Sequence, residues 1–174
     1  MKGSNHIVIT GFMASGKTSV ARALAPRLNM SMIDLDEVVF QRAQRSIAEI
    51  IAQYGEEYFR LLETSVLEQT LGDKNPNVVA LGGGTWVENR NCKLITLRGC
   101  TTVWLDVPFE LCWQRIKEAG PGARPLARNY HQTFKLYVER QPAYAQAMIR
   151  IGGDHHKTAS ELANEIAERY KDDR

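Results

Sequence analysis

Gly11-Phe12-Met13-Ala14-Ser15-Gly16-Lys17-Thr18 is the stretch whose reading decides the fold. An apolar run, Ile7-Val8-Ile9, precedes it, and Val20, Ala21, Leu24 and Leu28 follow at helical spacing, so it lies between a buried strand and a helix. That is the context a phosphate-cradling loop requires. Gly11 and Gly16 let the backbone turn tightly enough to aim the amides of Ala14, Ser15, Gly16 and Ser19 at phosphate oxygens, at the positive end of the helix. Lys17 then reaches the outer phosphates, and the Thr18 hydroxyl is suited to ligate magnesium. Ala14 stands where comparable loops often carry a further glycine. Its amide can donate only if the conformation there suits a residue with a Cβ.

The 174 residues read as one domain spanning 1–174, with 44% hydrophobic and 24% charged residues, ordinary globular values. A formal net charge of +2, with the basic residues dispersed, argues against a nucleic-acid partner. No apolar stretch approaches membrane-spanning length, and residues 1–10 carry a single Lys and do not read as a signal peptide. Cys92, Cys100 and Cys112 are odd in number and lack metal-ligand spacing, so a reducing cytoplasm is the expected location.

Beyond the loop helix, which ends near Pro26 and Asn29, a short strand at 31–33 delivers Asp34-Leu35-Asp36. Strand alternation is expected to put the two carboxylates on one side of an extended chain. A helix follows to about Arg45, and Ser46 and Glu49 then have capping-box spacing ahead of an apolar face of Ile47, Ile50 and Ile51. A third helix, 56–71, carries Phe59, Leu62, Val66 and Leu67. From Asn77 a buried strand opens into Gly82-Gly83-Gly84. Three residues without Cβ either let a ligand or another backbone come very close, or form a flexible turn. A helix to Gly99, a strand at 101–105 and a helix opened by Pro108 lead to the break at Gly120-Pro121-Gly122. The polar segment 120–131, with Arg124-Pro125 and Arg128, reads as a mobile lid or as a solvated connection. A helix through Tyr137 and Arg140, a short fifth strand at 148–151 and a C-terminal helix opened by Thr158 and Glu161 complete the chain. Strands separated by helices imply a parallel sheet covered on both faces, with ligands at the carboxyl ends of its strands.

Phosphoryl transfer needs phosphate positioning, magnesium, positive charge on the transition state and an oriented acceptor oxygen. Asp34 is suited to hold magnesium through its water shell, and Asp36 to orient an acceptor hydroxyl and take its proton. Arg124 could supply the transition-state cation. Arg60 lies three residues before Glu63 on one helical face, and the residues alone favour a surface ion pair there.

Together these residues resemble the shikimate kinase family, in the nucleoside-monophosphate-kinase-like branch of P-loop proteins. The resemblance rests on the loop from Gly11 to Thr18, Asp34-x-Asp36, Gly55-Glu56 followed by Phe59-Arg60 and Glu63, Leu81-Gly82-Gly83-Gly84, Arg124-Pro125-Leu126 and Arg140-x-Pro142-x-Tyr144. It covers residues 7–144. It implies a three-layer α/β fold with a five-stranded parallel sheet in the order 2-3-1-4-5, ATP and shikimate as substrates, Mg2+, and shikimate 3-phosphate as product. By the same resemblance, catalysis falls to Lys17, Asp36 and Arg124. Asp36, Arg60, Gly82, Gly83, Gly84 and Arg140 match shikimate-binding positions, within a substrate-binding region of about 36–62. Lys17, Arg115 and Arg124 match nucleotide-binding positions, with Arg115 near the adenine, and Thr18 and Asp34 match the metal positions. Ala127, Met148 and the stretch 150–157 depart from the family's pattern.

The chemistry of the acceptor agrees with this. Guanidinium forks grip a carboxylate bidentately, and an aspartate grips hydroxyls. Two other readings share the loop: a gluconate-type sugar-acid kinase, and a non-catalytic nucleotide-binding regulator. No Asn-Lys-x-Asp segment is present to read a guanine base. A monomer is expected.

Overall fold

The computed structural model describes residues 6–75, 77–120, 127 and 129–172. Five strands, β1 (Ile7–Thr10), β2 (Ser31–Asp34), β3 (Asn77–Ala80), β4 (Thr101–Asp106) and β5 (Ile149–Gly152), form one sheet in the order β2-β3-β1-β4-β5. Every neighbouring pair is parallel. The sheet order is the one the resemblance implied.

Helices cover both faces because the three central strands, β1, β3 and β4, carry buried apolar residues on both sides. Ile7 and Ile9 of β1, Val78 and Ala80 of β3 and Val103 and Leu105 of β4 pack with α1 (Lys17–Arg27) and α8 (Ala159–Asp172). Val8, Val79 and Trp104, the residues between them, face the opposite cluster. There they meet residues of α2 (Leu35–Ala43), α3 (Ile47–Tyr54), α4 (Glu56–Thr70), α5 (Asn89–Leu97), α6 (Phe109–Glu118) and α7 (Tyr130–Tyr144). Each fully buried Leu or Ile in these layers contributes about 1.5 to 3 kcal/mol. The crossovers place the loops after β1 and β3 side by side at the carboxyl edge, where the connections diverge to opposite sides of the sheet.

Local signals set the boundaries. The Ser46 hydroxyl accepts from the Glu49 amide, and the Glu49 carboxylate accepts from the Ser46 amide, closing the expected capping box of α3. Thr158 and Glu161 do the same at α8. Helix α7 begins at Tyr130, where the Asn129 side chain accepts from the Gln132 amide, and β5 begins at Ile149, one residue past the expected Met148.

One expectation is corrected. Asp34 and Asp36 do not share the side of an extended chain. β2 stops at Asp34, whose carboxylate caps α2 by accepting from the Asp36 amide, so Asp36 sits in the first turn of a helix. An aspartate ahead of a helical run satisfies an otherwise unpaired N–H, and that outweighs continuing the strand.

Candidate active site

The phosphate loop is built from backbone geometry more than from side chains. Gly16, at φ 96°, turns the chain into α1, and no side chain caps that helix or places an acid in its first turn. Its first amides therefore stay available to an anion at the positive end of the dipole. Lys17 is buried, and its ammonium folds into the curl of the loop, donating to the carbonyls of Phe12 at 2.8 Å and Gly11 at 3.0 Å. Gly11 has a different task. A Cβ there would stand 2.6 Å from the Leu105 carbonyl oxygen, so its bare Cα is what lets the loop lie against β4.

Ala14 answers the question its identity raised. It adopts φ 60°, the left-handed region, in which a residue with a Cβ costs roughly 1 to 2 kcal/mol. The Arg115 guanidinium donates to the Ala14 carbonyl at 3.1 Å and so ties α6 to the strained turn.

A cleft of about 540 Å³ opens above the loop. Ala14, Ser15, Gly16, Lys17, Thr18 and Ser19 line its floor, Asp34, Asp36, Gly82 and Gly83 one wall, and Arg115 another. The two carboxylates thus meet in one place, although helix capping rather than strand alternation brings them there. Thr18 donates its hydroxyl proton to Asp34 at 2.6 Å. Both are hard oxygen ligands, the kind magnesium takes. Among the described residues no group of three or more His, Cys, Asp or Glu could hold a metal. A divalent ion at this point would rest on Thr18, Asp34 and the nucleotide's own phosphates, the usual arrangement for magnesium.

The glycine triplet is a packed wall rather than a flexible turn. None of its residues has positive φ. Each instead admits a neighbour that a Cβ would strike: a Cβ on Gly82 would stand 2.8 Å from Asp36 Oδ1, one on Gly83 3.0 Å from the Met13 amide nitrogen, and one on Gly84 2.6 Å from Arg60 Nη2. The phosphate loop, Asp36 and Arg60 all touch these three residues.

Arg60 and Glu63 are not a surface pair. Arg60 is 7% exposed and Glu63 1%, with Nη1 of Arg60 donating to Glu63 at 2.9 Å and Nη2 donating to Glu56 at 3.2 Å. The i to i+3 spacing was legible, but only the packing of α4 beneath the triplet removes the pair from water. Burial pushes the Glu63 carboxyl above its ordinary value, opposed by Arg60 and by the Thr85 hydroxyl, which donates to it at 2.6 Å. Burial works to lower the Arg60 pKa, but its glutamate partners more than offset this and leave it raised, so the guanidinium stays charged. Arg140, from α7, donates to the Gly83 carbonyl at 3.1 Å and is equally buried. Two guanidiniums separated by 80 positions therefore converge on adjacent residues, Gly83 and Gly84.

Arg124 lies outside the described residues, as do Pro125, Leu126 and Arg128, so the segment 120–131 is described only at Gly120, Ala127 and 129–131. Glu63 and Thr85 were missed as parts of the site, as were Lys157, Thr158 and Ala159, which line the cleft on the side of Arg115. The capping box at Thr158 was visible in sequence. Its position beside the cleft was not, because only the return of the chain through β5 brings it there.

Comparison with known proteins gives the family of the chain. The sequence model of the shikimate kinase family matches residues 13–171. The chain is 36% identical over 167 residues to the shikimate kinase of Persephonella marina, covering 95% of this chain and 99% of that one. It superposes on the crystal structure of the Aquifex aeolicus shikimate kinase with a TM-score of 0.85 at 34% identity, covering 97% of each chain. The shikimate kinase of Acinetobacter baumannii in complex with shikimate gives a TM-score of 0.89 at 29% identity, over 98% of this chain and 94% of that one. With a phosphate loop at the carboxyl edge of its sheet and this likeness along its length, the chain belongs to the shikimate kinase family.

Proposed function

We propose that the protein transfers the terminal phosphoryl group of ATP to the 3-hydroxyl of shikimate, giving shikimate 3-phosphate and ADP in the biosynthesis of chorismate and the aromatic amino acids. Family membership supports the reaction. The observation that carries the assignment of roles is the convergence of Arg60 and Arg140 on the triplet that also abuts Asp36 and the phosphate loop. One carboxylate and two guanidiniums suit an acceptor that carries one carboxylate and several hydroxyls.

In this reading the amides of Ala14, Ser15, Gly16 and Ser19 hold the phosphates, and Lys17 leaves its loop carbonyls to follow charge onto the transferring group. Asp36 accepts from the acceptor hydroxyl, orients it and takes its proton. Arg60 and Arg140 hold the acceptor carboxylate, within the region 36–62 and its partners on α7. Arg115 flanks the adenine. Thr18, and Asp34 through water, would hold Mg2+, whose charge would offset that of the phosphates. Arg124 is assigned the cation on the moving phosphoryl group by resemblance alone. The sugar-acid kinase and the non-catalytic regulator are not favoured: family membership and the combination of Arg60, the glycine triplet and Arg140 favour shikimate, and a binder needs only the loop. The protein is further proposed to act as a cytoplasmic monomer, in keeping with three free cysteines.

A coupled ADP-release assay tests this directly, with shikimate, gluconate and no acceptor run side by side. Release is expected with shikimate only. Equal release with gluconate would overturn the acceptor, and release independent of any acceptor would leave a hydrolase.

A further inference from the structure

We propose that the Tyr144 hydroxyl is a positioning group for the acceptor site: by holding the Gly83 carbonyl it sets the pose in which Arg140 meets the acceptor carboxylate, and it joins that pose to the phosphate loop. The inference rests on the reading of Arg140 as a carboxylate ligand.

Residues 140 and 144 lie one helical turn apart and so share a face of α7. Both donate to the same atom. Tyr144 Oη lies 2.5 Å and Arg140 Nη1 3.1 Å from the Gly83 carbonyl oxygen. A carbonyl oxygen has two lone pairs, and here each is taken. The donors differ in stiffness. Arg140 is a long chain whose head must also face the ligand, whereas Tyr144 is fully buried, with its ring 6.2 Å from that of Trp104. Trp104 is itself held in β4, and the Arg150 guanidinium, which pairs with Asp106, lies over its ring at 4.9 Å from the centre. The tyrosine is therefore the rigid post and the arginine the arm. Burial pushes the Tyr144 hydroxyl up to about 12, so it stays a donor throughout the working range.

The other side of Gly83 completes the link. A Cβ there would stand 3.0 Å from the Met13 amide nitrogen, so this residue is in direct packing contact with the phosphate loop. Two residues earlier, the Leu81 amide donates to the Ile9 carbonyl of β1 at 3.0 Å. Tyr144 thus pins a segment wedged between the loop that holds the donor phosphates and the arginine that holds the acceptor. Without the hydroxyl, Arg140 is the one side chain among the described residues left to hold the Gly83 carbonyl, and the arm then sets the wall rather than the wall the arm.

The test is a double-mutant cycle on shikimate affinity, with Tyr144→Phe, Arg140→Ala and the pair, measured by calorimetry, with ATP affinity and Tm recorded for each. Phe keeps the ring and its packing. Tyr144→Phe is expected to weaken shikimate about threefold to tenfold, the worth of one neutral hydrogen bond, with ATP affinity unchanged. In the Arg140→Ala background the same change is expected to add less than about twofold, because nothing is left to position. A lower Tm with unchanged shikimate affinity would make Tyr144 a packing residue and overturn the proposal. Losses that multiply across the cycle would overturn it too, since the hydroxyl would then act without Arg140. If Arg140→Ala alone binds shikimate normally, the carboxylate reading fails first and the proposal falls with it.

Discussion

Gly84→Ala should cripple acceptor binding while leaving the fold and the nucleotide site alone. The new Cβ would stand 2.6 Å from Arg60 Nη2 and 2.9 Å from Cζ and Nη1, where ordinary contact begins near 3.4 Å, so the guanidinium must retreat by about 0.8 Å. The far end of a long side chain can make that move, which is why the fold should survive. It cannot make it freely, because Nη1 is held at 2.9 Å by Glu63 and Nη2 at 3.2 Å by Glu56. Because the glutamates hold the head in the free protein too, what the retreat costs on binding is a hydrogen bond between charged groups, the one to the incoming carboxylate. Such a bond is worth about 1.5 to 3 kcal/mol, which converts to roughly a tenfold to 150-fold loss of shikimate affinity. Calorimetric titration with shikimate and, separately, with ATP reads the two sites apart. Gly83→Ala is the contrast: its Cβ meets the backbone of Met13, so the phosphate loop itself must shift and both ligands should weaken. The reasoning is wrong if Gly84→Ala holds shikimate as tightly as the parent, or if it loses ATP in equal measure.

Lys17→Ala should lower turnover by roughly 10²-fold or more, the effect of removing one preorganised charge donor; near-normal turnover would remove the lysine from the chemistry. Asp36→Asn should retain ATP binding while phosphorylation of shikimate nearly stops, since an amide keeps the shape but is a poor base, whereas a parallel loss of ATP affinity would place Asp36 at the metal. Ala14→Gly should raise stability by about 1 kcal/mol, or roughly 2 to 4 °C in Tm, by removing a Cβ from the left-handed region; an unchanged or lower Tm would show that the loop carries no strain there. Glu63 has its carboxyl raised by burial, so as pH falls it takes a proton earlier than an ordinary glutamate and releases Arg60. Shikimate affinity should therefore fall on the acid side. The fall should move to higher pH in Thr85→Val, which loses a hydrogen bond to the ionised form, and a pH profile identical to the parent's would refute the role of Thr85.

The layered fold was legible because its signals are local and repeated. Apolar runs of strand length alternated with helical spacing, and the capping pairs Ser46/Glu49 and Thr158/Glu161 closed as their side chains dictate. The Asp34-Leu35-Asp36 segment was misread for a local reason as well: an aspartate after a strand can continue it or cap the next helix, and the cap won by satisfying an amide.

The sequence by itself determined that this chain binds a nucleotide phosphate. Everything that function needs, a strand, two glycines, a lysine and a helix start, is contiguous from Ile7 to Ser19, and its backbone geometry follows from residue type. Tertiary structure alone decided what surrounds the glycine triplet. Arg60 and Glu63 have the spacing of any solvated helical pair, and no short-range rule distinguishes the two cases. Burial under Gly84 desolvates the pair, because there water no longer competes with the glutamate for the guanidinium. Likewise, three glycines in a row permit either a flexible turn or a close approach. The choice was made by what the fold packs against them, with Met13, Asp36 and Arg60 each occupying the space of an absent Cβ.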